Sequence, residues 1–385
     1  MGPLKGVKVI EMASIGPAPF CGMLLADMGA EVISVGRLAV GDLGIEIAHK
    51  YDFPNRNKHA IAIDLKSPEG VGTVKDLIAS ADMLIEGFRP GVMERLGLGP
   101  DVCHELNPRL IYGRMTGWGQ EGPMRMQAGH DINYIALTGA LAASGYPDRP
   151  PTVALNLVGD YGGGAMYLAM GLLAAYIESK TSGKGQVIDA AMVDGVANMM
   201  TMHFGYRQAG IWTIERGSNP ADGGSPYYTC YETRDGKHMA AGAVEKRFYA
   251  EMVEKLGLDL ASLPDRDDKA CWPALRDIFA NEFKKKTRDE WAKVFAEGDS
   301  CVSPVLTMDE AADDPAAQKR GVFKSHRGIT EPMPAPRFSR TPGEIRTAPV
   351  DPKVGTHDAL AAWGIDADRI GKMAAAGVIP PAPGK

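Results

Sequence analysis

Two short stretches carry the residue types that could move a proton. The first, QAGHDINYIALTG, spans residues 127–139 and sets His130 beside Asp131 just ahead of an apolar run of helical character. The second, NLVGDYGGGAMYL, begins at residue 156 and places Asp160 before three consecutive glycines, Gly162, Gly163 and Gly164. A histidine and a carboxylic acid flanking one acidic carbon can remove and return its proton, one as base while the other is acid. Each stretch also has a structural reading. Asp131 can cap a helix with His130 exposed, and Asp160 lies at or near a helix N-terminus, where a capping carboxylate is common. The glycines let backbone N–H groups approach an anion or an oxyanion, and equally let two helices pack closely.

The elements that must position these residues alternate between strand and helix. VKVIEM (7–12), EVISV (31–35), AIAIDL (60–65), ADMLIEGF (81–88) and RLIYGRMTG (109–117) read as apolar strands. Between them, FCGMLLADMGA (20–30) reads as a helix closing on Gly29, and Ser67-Pro68-Glu69 starts another with a cap, a first-turn proline and an acid. Repeated βα units predict a mostly parallel, Rossmann-like α/β sheet covered on both faces. The turn after the first strand is ASIGPAPF, with no GxGxxG, which argues against an NAD or FAD site.

Beyond residue 190 the pattern changes. AAMVDGVANMMTMHFGYRQAG reads as a long methionine-rich helix, followed by the glycine and proline linker SNPADGGSPYY. PYYTCYETRDGKHMAAGA reads as a hairpin turning at Asp235-Gly236. EKRFYAEMVEKLGL and KKKTRDEWAKVFAEG read as helices, the latter with a capping box of Thr287 and Glu290. The expected organisation is a large Rossmann-like domain over 1–190, a linker helix and loop over 191–225, a smaller α+β domain over 226–325, and a return linker with C-terminal helices over 326–385 that rejoin the large domain.

The 385 residues are 45% hydrophobic, enough for a substantial core, and carry a net charge of -6. That balance argues against nucleic acid or an anionic membrane surface as partner, so an anionic ligand must be met by a few local cations. The apolar stretch at 165–177 is too short to span a bilayer. Five cysteines without CxxC spacing suggest neither a zinc ribbon nor a disulfide framework, and no histidine cluster indicates a metal. With no targeting segment standing out, a cytoplasmic protein is expected.

GHDINYIALTGAL, LNLVGDYGGGAMYL, GKGQVIDAAMVDG, DGGSPYYTCYETRDGKHMAAGAVEKRFY, CVSPVL and PAPRFSRTP together resemble the 2-methylacyl-CoA racemases of the class III CoA-transferase family. The likeness runs over nearly the whole chain. It implies an interlocked homodimer, with the active site between the large domain of one subunit and the small domain of its partner. It implies no prosthetic group, coenzyme A entering as part of an acyl-CoA thioester. It also implies proton exchange alpha to the thioester carbonyl by residues matching His130 and Asp160, supported by acids matching Asp131 and Glu245. Either of those two acids could accept a hydrogen bond from the ring nitrogen of His130 turned away from substrate.

The same resemblance implies coenzyme A binding by Arg37, by Ala62, Ile63, Asp64 and Leu65, by Arg89, and by the loop holding Ala128, Gly129, Ile132 and Asn133. From position alone Arg37, the NRNK run at 55–58 and Arg89 are candidate cations, since open α/β sheets bind ligands beyond the carboxyl ends of their strands. Ser34 and Gly36 stand where relatives often carry a basic and an acidic residue. The clustered Met199, Met200 and Met202 match methionine-rich surface that such racemases offer a swinging acyl chain, although core packing accounts for most of the 20 methionines. Two other activities share these residues. A CoA-transferase would use an aspartate at position 160 as nucleophile, and such enzymes usually resemble GYD or GFD where this chain has Gly129-His130-Asp131. A non-catalytic acyl-CoA-binding module would not need both His130 and Asp160, so retention of the pair argues against it.

Overall fold

The computed structural model describes residues 2–39, 45, 47–326 and 328–383. It divides into two units, the first made of the residues up to Thr138, Ala154–Met199 and Phe323 onward, the second of Gly139–Val153 and Met200–Val322. Among the described residues no helix is long and apolar enough to cross a membrane.

The first unit is built on six strands, β1 (Lys8–Met12), β2 (Glu31–Gly36), β3 (Lys58–Ala62), β4 (Met83–Glu86), β5 (Ile111–Thr116) and β6 (Gln186–Ala191). They run in the order β3-β2-β1-β4-β5-β6, every neighbouring pair parallel. The Rossmann-like expectation holds, and the order reverses between β1 and β4, where such sheets open a crevice beyond their carboxyl ends. Alternate residues enter two separate cores. Ile10, Ile33, Ile61 and Leu84 join one, and Val9, Val32, Met83 and Ile85 join the other. Burial on both faces is why these strands read as continuous apolar runs rather than alternating ones.

Helices α1 (Pro17–Asp27), α2 (Pro68–Ala79), α3 (Val92–Arg95), α4 (Pro100–Leu106) and α5 (Asp131–Leu137) follow the first strands. A π-helical segment, Leu157–Ala165, then feeds α6 (Met166–Ser182), and α7 (Met192–Met199) follows β6. α1 starts three residues before the expected position, with Pro17 in its first turn, the place where a missing N–H costs nothing. β6 went unread in the sequence because it is an edge strand with four of six positions at least partly exposed, so it lacks the apolar run of its neighbours.

The long helix expected over 190–210 is instead the end of β6, then α7, then a separate α8 (Thr201–Gln208) beyond Met200.

The second unit holds an antiparallel sheet of β7 (Tyr228–Glu232), β8 (His238–Gly242) and β9 (Val302–Pro304), in that order. The expected hairpin turns at Asp235-Gly236, with Gly236 at φ +72° in the left-handed region that glycine tolerates. Helices α9 (Lys246–Lys255), α10 (Trp272–Phe283), α11 (Arg288–Val294), α12 (Met308–Asp313) and α13 (Pro315–Arg320) complete it. Thr287 and Glu290 form the capping box at the start of α11. Tyr231 stacks on Phe283 with centroids 4.9 Å apart in this unit's own core.

The chain returns to the first unit through the two-stranded β10 (Phe323–His326) and β11 (Ile329–Pro332) and ends in α14 (Pro352–Ala362) and α15 (Ala367–Ala375). Leu360, Trp363, Ile370 and Met373 close the same core as Ile10 and Ile33.

Candidate active site

His130 stands at the N-cap position of α5, exposed, with its own N–H donating to Asn133 Oδ1 at 3.0 Å. The loop that carries it is held from beneath by Tyr134. The Tyr134 hydroxyl donates to the Gly129 carbonyl, and its ring meets Trp118 edge-on with centroids 4.8 Å apart. A side chain at Gly117 or Gly129 would run into the Tyr134 ring, so glycine at both places is a packing requirement. Burial first, then the Asp160 charge, push the Tyr134 hydroxyl up to about 12, while Arg89 pulls it back.

Asp131 turns away from the histidine and into the protein. It is 4% exposed, and its Oδ2 accepts the N–H groups of Gly159 at 2.5 Å and Asp160 at 2.8 Å. Its Oδ1 is buried without a hydrogen-bond partner among the described residues. The sequence leaves Asp131 free to orient the His130 ring; here its bonded oxygen serves the backbone of the second stretch instead.

Asp160 projects from the π-helical segment, a form that breaks the regular ladder and recurs at functional sites. Asn156 donates its Nδ2 to Asp160 Oδ2 at 3.2 Å. Gly16, at φ +72° in the turn after β1, lies so close that a first side-chain carbon there would sit 3.2 Å from the same oxygen. Asp160 therefore lies over the carboxyl end of β1, beside the point where the strand order reverses. Half-burial drives its carboxyl above the ordinary aspartate range. The Asn156 hydrogen bond and the His130 charge oppose that rise, and the Asp131 charge adds to it.

The run of glycines serves packing. A side chain on Gly163 would strike Val196 and the Met192 carbonyl of α7, one on Gly164 would strike Met192 and Pro17, and Gly195 of α7 meets the Gly163 carbonyl face to face. Gly162 lies against the Met199 side chain. These positions bring α7 and α1 against the segment that carries Asp160. Phe20 of α1 stacks on Tyr161 at 4.3 Å.

The candidate cations divide sharply. Arg37, one residue past β2, and Arg89, in the loop after β4, are exposed. The NRNK run is not available to a ligand. Arg56 is buried between Asp27 at 2.6 Å and Glu331 at 2.9 Å, and Lys58 is buried against Glu11 at 2.7 Å. In the next segment Ala62, Ile63 and Leu65 are buried and Asp64 is half-buried. The N–H groups of Ala62, Ile63 and Asp64 already donate to Thr356, Gly36 and Val378. Ala128, Ile132 and Asn133 are exposed around His130, with Gly129 half-buried.

Glu245 belongs to the second unit, exposed at the N-cap of α9. The turn before it is held by Arg266, which donates to the Val244 carbonyl at 2.6 Å and lies over the rings of Tyr227 and Tyr249.

The first unit thus brings His130, Asp131 and Asp160 together, with Arg89 close enough to act on Tyr134. Asn156, Gly16 and Tyr134 are the residues that sequence reasoning missed. Asn156 and Tyr134 each stand four residues from an acid or base already singled out, one helical turn away, and only that spacing could have pointed to them.

The chain is 43% identical over 370 residues to alpha-methylacyl-CoA racemase of Mus musculus, covering 95% of each. It is 40% identical over 357 residues to the Homo sapiens protein of that name, covering 92% of this chain and 91% of the other. The crystal structure of a CAIB/BAIF family protein from Brucella suis superposes with a TM-score of 0.80 at 26% identity, covering 95% of this chain and all of that one. The model of CoA-transferase family III matches residues 4–358, and the chain belongs to that family.

Proposed function

We propose that this protein is an isomerase that interconverts the (2R) and (2S) forms of 2-methylacyl-CoA thioesters. The observation that carries the reading is the pairing of His130 with an Asp160 whose carboxyl is held above the ordinary range, in a chain 43% and 40% identical to two alpha-methylacyl-CoA racemases. In one direction neutral His130 takes the proton from C2, the bonding electrons pass into the thioester carbonyl as an enolate, and protonated Asp160 returns a proton to the other face. In the reverse direction Asp160 is the carboxylate base and the imidazolium of His130 is the acid. The two groups need opposite protonation states, and a raised Asp160 keeps its protonated form populated closer to neutrality.

In this reading the thioester brings its own coenzyme A. Arg37 and Arg89 meet its phosphates, Ala62–Leu65 and Ala128–Asn133 flank it, Asp131 supports Asp160, and Glu245 supports the histidine. The protein works as a homodimer. Met166, Met170 and Ile177 form an exposed apolar stripe along α6, suited to cover by a second copy. The free cysteines, Cys21, Cys103, Cys230, Cys271 and Cys301, suit a reducing compartment such as the cytoplasm.

The test is incubation of one epimer of a 2-methylacyl-CoA in deuterated water with no free acid present. Deuterium entering C2 as the opposite epimer appears is the expected result, because racemisation must break the C2–H bond. A CoA-transferase attacks the carbonyl carbon through its carboxylate, leaves C2 untouched and waits for an acceptor acid. Acceptor-dependent CoA transfer without deuterium at C2 would overturn the racemase reading.

A further inference from the structure

The loop that follows β4 is closed at both ends by one arginine. Arg114 of β5 is 7% exposed and donates from Nε to Glu86 Oε1 at 2.9 Å. Its Nη1 and Nη2 donate to the two carboxylate oxygens of Glu94 at 2.9 and 3.3 Å. Glu86, fully buried, ends β4, and its second oxygen accepts the Phe88 N–H at 2.8 Å. Glu94 lies in α3, on the far side of the loop. Between these two carboxylates the chain turns through Gly91 at φ +81°, and Phe88 packs onto the core, leaving Arg89 exposed.

We propose that Arg114 is a positioning residue for coenzyme A binding: by bridging Glu86 and Glu94 it fixes the loop that presents Arg89 to the phosphates. The inference rests on the function proposed above. Arg114 acts only through Arg89, whose exposed guanidinium would otherwise hang on a short loop that Gly87 and Gly91 leave free to turn. A planar fork that reaches two carboxylates at once is a property of arginine and not of lysine, whose ammonium is a single point of charge. A loop already ordered before binding loses less conformational freedom when the polyanion arrives.

The experiment compares kcat and KM for a 2-methylacyl-CoA and for the same acyl group on pantetheine, which lacks the nucleotide phosphates. The variants are Arg89→Ala, Arg114→Lys, and both together. Because loss of Arg114 leaves Glu86 buried and unpaired, Arg114→Met with Glu86→Gln is a further variant that removes both charges and keeps an acceptor for Phe88. Arg89→Ala and Arg114→Lys should each raise KM for the CoA ester roughly three- to tenfold, with kcat changed less than about twofold and the pantetheine thioester unaffected. The double variant should be no worse than Arg89→Ala alone, and Arg114→Met/Glu86→Gln should behave like Arg114→Lys. Equal losses on both thioesters, or additive effects in the double variant, would overturn the proposal and leave Arg114 a residue of the fold. An unchanged KM in Arg89→Ala overturns it at the Arg89 step, while the racemase reading still stands or falls on deuterium exchange.

Discussion

One carboxylate oxygen of Asp131 accepts the backbone N–H groups of both Gly159 and Asp160, at 2.5 and 2.8 Å. The sequence neighbour of the histidine thereby sets the main chain of the second acid across 29 positions. It also places a buried negative charge beside the Asp160 carboxyl, one of the causes that raise it. Position and protonation of Asp160 are coupled through the same side chain.

His130→Ala and Asp160→Ala should each lower racemisation by roughly 10²–10⁴-fold, the usual contribution of a positioned acid or base, while affinity for the CoA ester survives. Steady-state rates with a competitive CoA-ester inhibitor measure both. Full activity in either variant removes that residue from the chemistry.

Asp131→Ala should be destabilising, since it leaves the buried Gly159 N–H and the part-buried Asp160 N–H without their acceptor, at about 1–3 kcal/mol for a buried group left unpaired. Asp131→Asn keeps an acceptor and deletes the charge. In the direction where Asp160 is the acid, activity is lost as pH rises through its titration, and Asp131→Asn should move that loss to lower pH. A pH–rate profile that does not move separates Asp131 from the control of Asp160.

The raised Asp160 carboxyl also makes a stability prediction. Below the ordinary aspartate value it is protonated in both folded and unfolded chains, and no penalty exists. As pH rises, the unfolded chain releases its proton first, so stability falls until the raised folded value is passed and then levels off. Asp160→Asn lacks this loss. Thermal melts should show the variant more stable than the parent near neutrality, the gap closing on acidification; a gap independent of pH would contradict this.

Gly195→Ala should lower the melting temperature, because the new methyl would sit 1.9 Å from the Gly163 carbonyl oxygen. Overpacking of this kind costs about 1–3 kcal/mol. Since the displaced backbone lies three residues from Asp160, kcat should fall with it. A variant with unchanged stability would show that α7 can shift away from the π-helical segment.

If a second copy covers α6, Met170→Glu should shift the protein from dimer to monomer in sedimentation. Met170 is 60% exposed between Met166 and Ile177 on the same stripe. A parent chain that sediments as a monomer would remove the dimer from the proposal.

Much of this architecture was legible in the residues. Strands β1, β2, β4 and β5 are apolar on both faces because each lies between two cores, and a continuous run of apolar side chains announces that burial locally. The hairpin at Asp235-Gly236 and the capping box of Thr287 and Glu290 are likewise decided by neighbours within a few positions. His130 and Asp160 could be named from type, setting and family likeness. β6 could not, since an exposed edge strand carries no strong pattern of its own.

What the sequence by itself determined is therefore most of the local elements, the family, and a histidine and an aspartate of the types that could move a proton. Only the tertiary structure decided which charges are available. Arg56 and Lys58 look as free as Arg37 and Arg89 in the sequence, but they are buried against Asp27, Glu331 and Glu11, partners 29, 275 and 47 positions away. Tertiary packing likewise turned Asp131 from the histidine toward the backbone of Asp160 and made the glycines a seat for α7. Each depends on distant segments meeting in space, where burial and pairing set a group's charge and partners, and no local spacing encodes which segments will meet.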